Sequence, residues 1–138
     1  MFAAAILKGI DVMEEKELYD RGMAVRRDVL GAPYVDKAVA AADDFNQHWQ
    51  EYVTKHCWGA IWTRPGLPRK TRSMLNLAML AATGHPEELK LHLRGAITNG
   101  VTKEEIAEIF LQVGAYAGAP SALEAFRTAK EVFADLKL

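Results

Sequence analysis

Residues 84–100, Gly84-His85-Pro86-Glu87-Glu88-Leu89-Lys90-Leu91-His92-Leu93-Arg94-Gly95-Ala96-Ile97-Thr98-Asn99-Gly100, specify a helix together with both of its ends. Pro86 suits the first helical position, where a missing N–H costs nothing. Glu87 and Glu88 complement the positive end of the helix dipole, and Gly100 can enter the left-handed conformation that stops a helix. At about 100° per residue, His85, Glu88 and His92 fall within roughly 60° of one another, and Leu89, Leu93, Ala96 and Ile97 continue around the same side. Three ionisable groups therefore border an apolar face, while Glu87, Lys90 and Arg94 occupy the side suited to water. Spacing alone leaves two readings of Glu88 and His92: an ordinary i, i+4 surface pair, or part of a functional cleft.

The remainder of the chain repeats the helical period. Leu18, Gly22, Val25 and Val29 predict a helix over 14–30, which Gly31-Ala32-Pro33 breaks. A second helix is expected over about 34–54, with Val35, Ala38, Val39, Ala42, Phe45, Trp49 and Val53 on one stripe. A third follows Pro68 and is apolar nearly all round from Met74 to Ala82, which predicts a central helix. After the helix of 84–100, Thr102-Lys103-Glu104-Glu105 forms a capping box. It opens a helix with Ile106, Ile109, Phe110 and Val113 inward and Glu108, Gln112 and Tyr116 on another stripe. Tyr116-Ala117-Gly118-Ala119-Pro120 ends that helix, and a last one over 121–136 places Ala122, Phe126, Ala129, Phe133 and Leu136 on one face. The expectation is an all-α, single-domain bundle of about six helices, whose short connections favour antiparallel neighbours.

Between the second and third helices the texture changes. Residues 55–70 hold Trp58, Trp62, two glycines, Pro65, Pro68 and the basic residues Lys55, Arg64, Arg69 and Lys70. The prolines interrupt a hydrogen-bond ladder, and an aromatic, cationic segment suits the wall of a site for an organic anion. The single cysteine, Cys57, excludes an intrachain disulfide and a thiolate zinc site, and is expected as a buried, inert thiol. No metal site is expected, since His85 and His92 are two turns apart and no other ligand spacing is present. A net charge of −1 gives no general reason to expect nucleic acid or a membrane as partner. No apolar run suits a membrane span, and a cytoplasmic location is expected. Residues 1–12 read as an N-terminal extension or tag remnant ahead of Met13, leaving 13–138 as the domain.

Three stretches carry a family resemblance: Trp58-Gly59-Ala60-Ile61-Trp62-Thr63-Arg64-Pro65-Gly66-Leu67 with Lys70-Thr71-Arg72-Ser73; Glu88-Leu89-Lys90-Leu91-His92-Leu93-Arg94 with Asn99-Gly100-Val101-Thr102; and Tyr116-Ala117-Gly118-Ala119-Pro120. Together with Tyr19 to Gly31 they resemble the carboxymuconolactone decarboxylase family, within the wider alkylhydroperoxidase D-like group. The wider group carries Cys-x-x-Cys followed by His. Here His85 and Glu88 stand where the cysteines would be, His92 matches the histidine, and Ser73 replaces a glutamate. Without two thiols, disulfide-linked peroxide reduction has no redox pair.

The resemblance implies decarboxylation of an unsaturated γ-lactone dicarboxylate in aromatic catabolism. Loss of the ring carboxylate as CO2 leaves electrons that spread through the C=C to the lactone carbonyl, so no pyridoxal, thiamine or metal is required and no cofactor is expected. Three tasks remain for the protein. A dianion must be held, for which Arg64, Lys70 and Arg72 are candidates, with Ser73 beside them. Charge on the lactone oxygen must be stabilised, a role given to His92 as donor. A proton must return to the ring carbon, from Glu88 if burial raises its pKa or, as substitute, from His85. Trp58, Trp62 and Tyr116 would supply apolar wall. The resemblance also implies a ring-like homo-oligomer, often a hexamer. Rival readings are a relative acting on another lactone, a thiol-dependent oxidoreductase using Cys57, and a helical ligand-binding module without catalysis.

Overall fold

The computed structural model describes residues 14–138; the expected extension over 1–12 and the start at Met13 lie outside the described residues. Among the described residues seven α-helices follow in order: α1 Glu15–Leu30, α2 Ala32–Ala40, α3 Gln47–Tyr52, α4 Arg69–Thr83, α5 Pro86–Thr98, α6 Lys103–Ala117 and α7 Ala119–Leu136. A π-helical segment, Val53–Gly59, continues α3 directly. No strand occurs among the described residues, as the periodicity predicts.

The expected single helix over 34–54 is two helices. Asp43 and Asn46 redirect the backbone between them: the Asp43 N–H donates to Asn46 Oδ1 at 2.9 Å and the Phe45 N–H to Asp43 Oδ1 at 2.9 Å. Short polar side chains compete with the helical ladder in this way. The break removes the expected stripe, leaving Val35 fully buried but Phe45 and Trp49 exposed.

Helices α4 to α7 enclose the main core, built from Leu77, Leu89, Leu93, Ile106, Phe110, Val132 and smaller neighbours. Local signals set their ends. Gly84 closes α4 at φ 73°, and the Thr102–Glu105 capping box opens α6, with the Glu105 N–H donating to Thr102 Oγ1 at 3.1 Å. Gly118, at φ 106°, is at once the end of α6 and the start of α7. Against expectation, α4 is not covered all round. Leu77 and Ala81 are buried, but Leu75 and Met79 are exposed, because α5, α6 and α7 cover one side of α4 only. On α7 the buried line is Ala125, Thr128, Ala129 and Val132, with Phe126 and Phe133 packed at its edge and Leu136 exposed.

A second cluster joins Val25 and Val29 of α1 to Trp58 and Trp62. Here α1 and the π segment meet backbone to backbone. A Cβ on Gly22 would lie 2.0 Å from the Thr54 carbonyl oxygen, and one on Gly59 would lie 2.4 Å from the Leu18 carbonyl oxygen. Arg26, 6% exposed, fastens the same junction by donating to Gln50 Oε1 at 3.0 Å and Thr54 Oγ1 at 3.1 Å. Gly95 lets α1 settle on α5, since a Cβ there would meet Val29 Cγ1 at 2.9 Å. The π segment is thereby held beside α4 and α5.

Candidate active site

The π segment and the turn after it carry Val53, Cys57, Trp58, Ile61 and Trp62 to one wall of a cavity of about 340 Å³, closed on the other side by Asn76 of α4 and His92 of α5. The wide helix is what sets this wall. Its i→i+5 bonds, Ala60 N–H to Lys55 carbonyl at 2.8 Å and Trp62 N–H to Cys57 carbonyl at 3.1 Å, shift the two tryptophans relative to an α-helical register. Trp58 and Trp62 stack at 4.9 Å between centroids, and Trp58 lies parallel to the His92 ring at 6.1 Å. Aromatic pairs of this kind contribute about 0.5–1.5 kcal/mol beyond burial, and here they also fix the plane of the imidazole.

His92 is half-buried, and its Nδ1 faces the Asn76 side-chain nitrogen at 3.4 Å. Burial holds its pKa below the ordinary imidazole value, partly offset by the negative charge of Glu88. Near neutrality the ring is therefore chiefly uncharged and able to donate one hydrogen bond and accept another. A smaller cavity of about 140 Å³ shares Ile61, Trp62 and Asn76 with the first and adds Arg72, Leu75 and Met79. Arg72 spends one nitrogen on the Arg64 carbonyl at 3.3 Å, while its Nε is buried and has no protein partner. A guanidinium with a spare buried donor at the end of an aromatic cleft can take a carboxylate.

His92, Trp58, Trp62 and Arg72 are thus gathered around two abutting cavities. The other sequence-predicted residues stand elsewhere in the chain. His85 and Glu88 are exposed at the start of α5, outside the cavity lining, and Arg64 is exposed and reaches Arg72 through its backbone only. Lys70 is paired with Glu105 at 3.0 Å, an interaction that holds the Glu105 carboxyl below the usual carboxylate range. Ser73 is fully buried and accepts from Asn99 Nδ2 at 2.9 Å. Tyr116 is 86% exposed and lines a separate groove between α4 and α6.

Two further residues line the cavity outside the set of sequence-predicted site residues. Cys57, expected to be buried, is exposed and lines the cavity, because the π segment rotates it away from the α1 contact. Asn76 was passed over among the apolar residues of α4. Its i, i+4 relation to Arg72 was the available signal, since it puts both on one helical face.

A larger concavity, about 590 Å³ between α4 and α6, is a poor alternative. It is lined by Met74, Leu75, Ala78 and Ile109 but also by Glu104, Glu105 and Glu108, which would repel an organic dianion. Among the described residues no cluster of three His, Cys, Asp or Glu is arranged to hold a metal ion.

Known proteins resemble the chain over the segment that carries both cavities. A family model described as the carboxymuconolactone decarboxylase family matches residues 47–131, which include every residue lining the two cavities. The chain is 44% identical over 124 residues to a 4-carboxymuconolactone decarboxylase of Acinetobacter baylyi, covering 90% of this chain and 92% of that protein. It is also 44% identical over 121 residues to a nitrosuccinic acid decarboxylase of Metarhizium robertsii, covering 88% of this chain and 85% of that one. A 4-carboxymuconolactone decarboxylase from Pseudomonas putida is 49% identical over 47 residues, 34% of this chain and 98% of the relative. With matches that run through the π segment, α4 and α5 alike, the chain belongs to the carboxymuconolactone decarboxylase family.

Proposed function

We propose that this chain is a carboxy-lyase that decarboxylates 4-carboxymuconolactone to 3-oxoadipate enol-lactone and CO2 without a cofactor, in the catabolism of aromatic compounds. The observation that carries this reading is the alignment of a half-buried His92 against the Trp58–Trp62 stack, with Arg72 in the abutting cavity. Near-full-length similarity to a decarboxylase of that name supports the substrate.

In this reading Arg72 binds the acetate arm. The ring carboxylate faces the tryptophans, where weak solvation favours release of neutral CO2. As the C–C bond breaks, its electron pair moves through the ring C=C onto the lactone carbonyl oxygen. His92 donates a hydrogen bond to that oxygen, an interaction commonly worth about 10²–10³ in rate. A proton then joins the ring carbon next to the carbonyl. Glu88, with His85 as substitute, is the proposed source of that proton; both stand exposed outside the cavity lining, so in this reading they act through water at the mouth of the cleft and not by contact with the ring carbon. Arg64, Lys70, Ser73 and Tyr116 line neither cavity and are given no contact with the substrate in this reading.

Equal identity to a nitrosuccinic acid decarboxylase favours a second reading. Nitrosuccinate and 4-carboxymuconolactone are both succinates in which the carbon that loses CO2 also bears an electron sink, a nitro group in one and an unsaturated lactone in the other. One carboxylate anchor and one hydrogen-bond donor at the sink serve either.

The exposed apolar side chains Leu75, Met79, Leu111 and Tyr116 support assembly with further copies of the chain, and the family resemblance implies a hexamer, which sedimentation would measure. Among the described residues no helix is long and apolar enough to cross a membrane; a cytoplasmic location is part of the proposal.

The test supplies freshly generated 4-carboxymuconolactone, or nitrosuccinate, to the purified protein in chelator and follows CO2 and product. Turnover of the lactone that disappears in His92→Ala, with helical circular dichroism retained, is the expected result. Turnover of nitrosuccinate alone selects the second reading, and turnover of neither refutes both.

A further inference from the structure

We propose that Asn76 is a positioning residue that fixes the tautomer of His92, so that the imidazole meets the substrate as a hydrogen-bond donor. The inference rests on the decarboxylase reading above and deepens it. Asn76 stands on α4 and His92 on α5, and both line the cavity beneath the Trp58–Trp62 stack. The Asn76 Nδ2 faces His92 Nδ1 at 3.4 Å. With the amide turned this way Asn76 donates, Nδ1 presents its lone pair, and a neutral ring carries its single proton on Nε2. No partner for Nε2 is found among the described residues, which leaves that N–H for a ligand.

The surroundings reinforce the arrangement. The parallel Trp58 ring, inclined to His92 by 1°, resists rotation of the imidazole. The titratable and charged groups around it are Glu88 on its own helix, Cys57 across the cavity from the π segment, and Arg72 of α4 in the abutting cavity. Neither α4 nor the π segment adds a carboxylate to the cavity lining. Nothing on those two elements therefore competes with Asn76 by accepting a proton from Nδ1–H. The other tautomer would aim a lone pair at an oxygen that is gaining negative charge, a repulsive contact where catalysis needs a donor. Asn76 also lines the cavity that holds Arg72, so the same side chain sets the histidine and spans the two ends of the cleft.

The experiment compares wild type, Asn76→Leu and Asn76→Asp in full-length assembled protein labelled with ¹⁵N at histidine. Imidazole shifts and the pH profile of kcat are recorded. Wild type is expected to give the Nε2–H signature well above the ordinary imidazole pKa. Asn76→Leu keeps the helical spectrum, gives mixed tautomers and loses about 10- to 100-fold in kcat with little change in KM. In Asn76→Asp the new carboxylate draws the proton to Nδ1, so Nε2–H survives only in the imidazolium. Activity then disappears as pH rises, an alkaline limb absent from wild type. A wild-type ring in the Nδ1–H form, an unchanged tautomer in Asn76→Leu, or a wild-type pH profile in Asn76→Asp would each overturn the inference. Absence of turnover in the wild type refutes the substrate assignment instead, and the shifts by themselves then decide the tautomer.

Discussion

Gly22→Ala tests whether the site depends on how closely α1 approaches the π segment. In an unconstrained helix interior the substitution stabilises by about 1 kcal/mol through backbone entropy and propensity. Here the new methyl would sit 2.0 Å from the Thr54 carbonyl oxygen and 2.9 Å from the Gly59 nitrogen, both backbone atoms that cannot rotate aside. Restoring ordinary contact requires α1 and the π segment to part by roughly 1 Å or more, and overpacking of this kind costs about 1–3 kcal/mol. Parting also loosens Val25 and Val29 from Trp58 and Trp62, each buried aromatic being worth about 1.5–3 kcal/mol. The net expectation is a destabilisation of about 2–3 kcal/mol. At about 3–5 °C per kcal/mol for a chain of this size, Tm falls by roughly 6–15 °C. Turnover at a temperature where the variant remains folded should fall as well, because the tryptophan wall moves away from His92. Calorimetry and steady-state kinetics measure the two effects. Gly66→Ala is the control, since no atom lies within 4 Å of a Cβ there. A Gly22→Ala protein with unchanged or raised Tm and normal kcat would refute the described packing.

Other expectations follow from the same geometry. Arg72→Met should raise KM for the dianionic substrate about 10- to 100-fold, with a smaller effect on kcat, since it removes a charge-assisted contact worth about 1.5–3 kcal/mol. Arg64→Ala, at a side chain outside both cavities, should change KM much less, and a larger effect than that of Arg72→Met in steady-state kinetics would reverse the assignment. Cys57→Ala should retain turnover despite its place in the lining; loss of activity accompanied by thiol dependence would revive the oxidoreductase reading. Because the folded-state pKa of His92 is depressed, the unfolded chain takes up more protons as pH falls through the imidazole range. The stability this ring contributes is thus complete above its ordinary pKa of about 6.5 and is lost as pH falls through the folded value. Urea midpoints measured across that range should show a slope that His92→Gln reduces; an unaltered slope would contradict burial of a neutral ring.

Local chemistry made much of the fold legible. The capping box of Thr102 and Glu105 and the end of α6 within Tyr116 to Pro120 involve atoms only a few positions apart, so sequence alone predicts them. The buried line of α5, Leu89, Leu93 and Ala96, follows from helical period for the same reason. The second helix is shorter than its pattern predicts, because an apolar stripe persists through Ala42, Phe45 and Trp49 while the bonds of Asp43 and Asn46 end the helix beneath it.

The site divides along the same line. His92, the tryptophans and Arg72 were recognisable as residue types in a motif, and the sequence by itself determined that an imidazole would border the apolar face of α5. Only tertiary structure decided which partners meet it. Docking of the π segment through Gly22 and Gly59 turned Trp58 onto the ring and left Cys57 exposed. The approach of α4 to α5 brought Asn76, sixteen positions away in the chain, to Nδ1, and the Glu105 pair took Lys70 elsewhere. Each of these depends on the distance and rotation between separate elements. Local propensities leave those undetermined, and close packing of side chains across the interfaces fixes them.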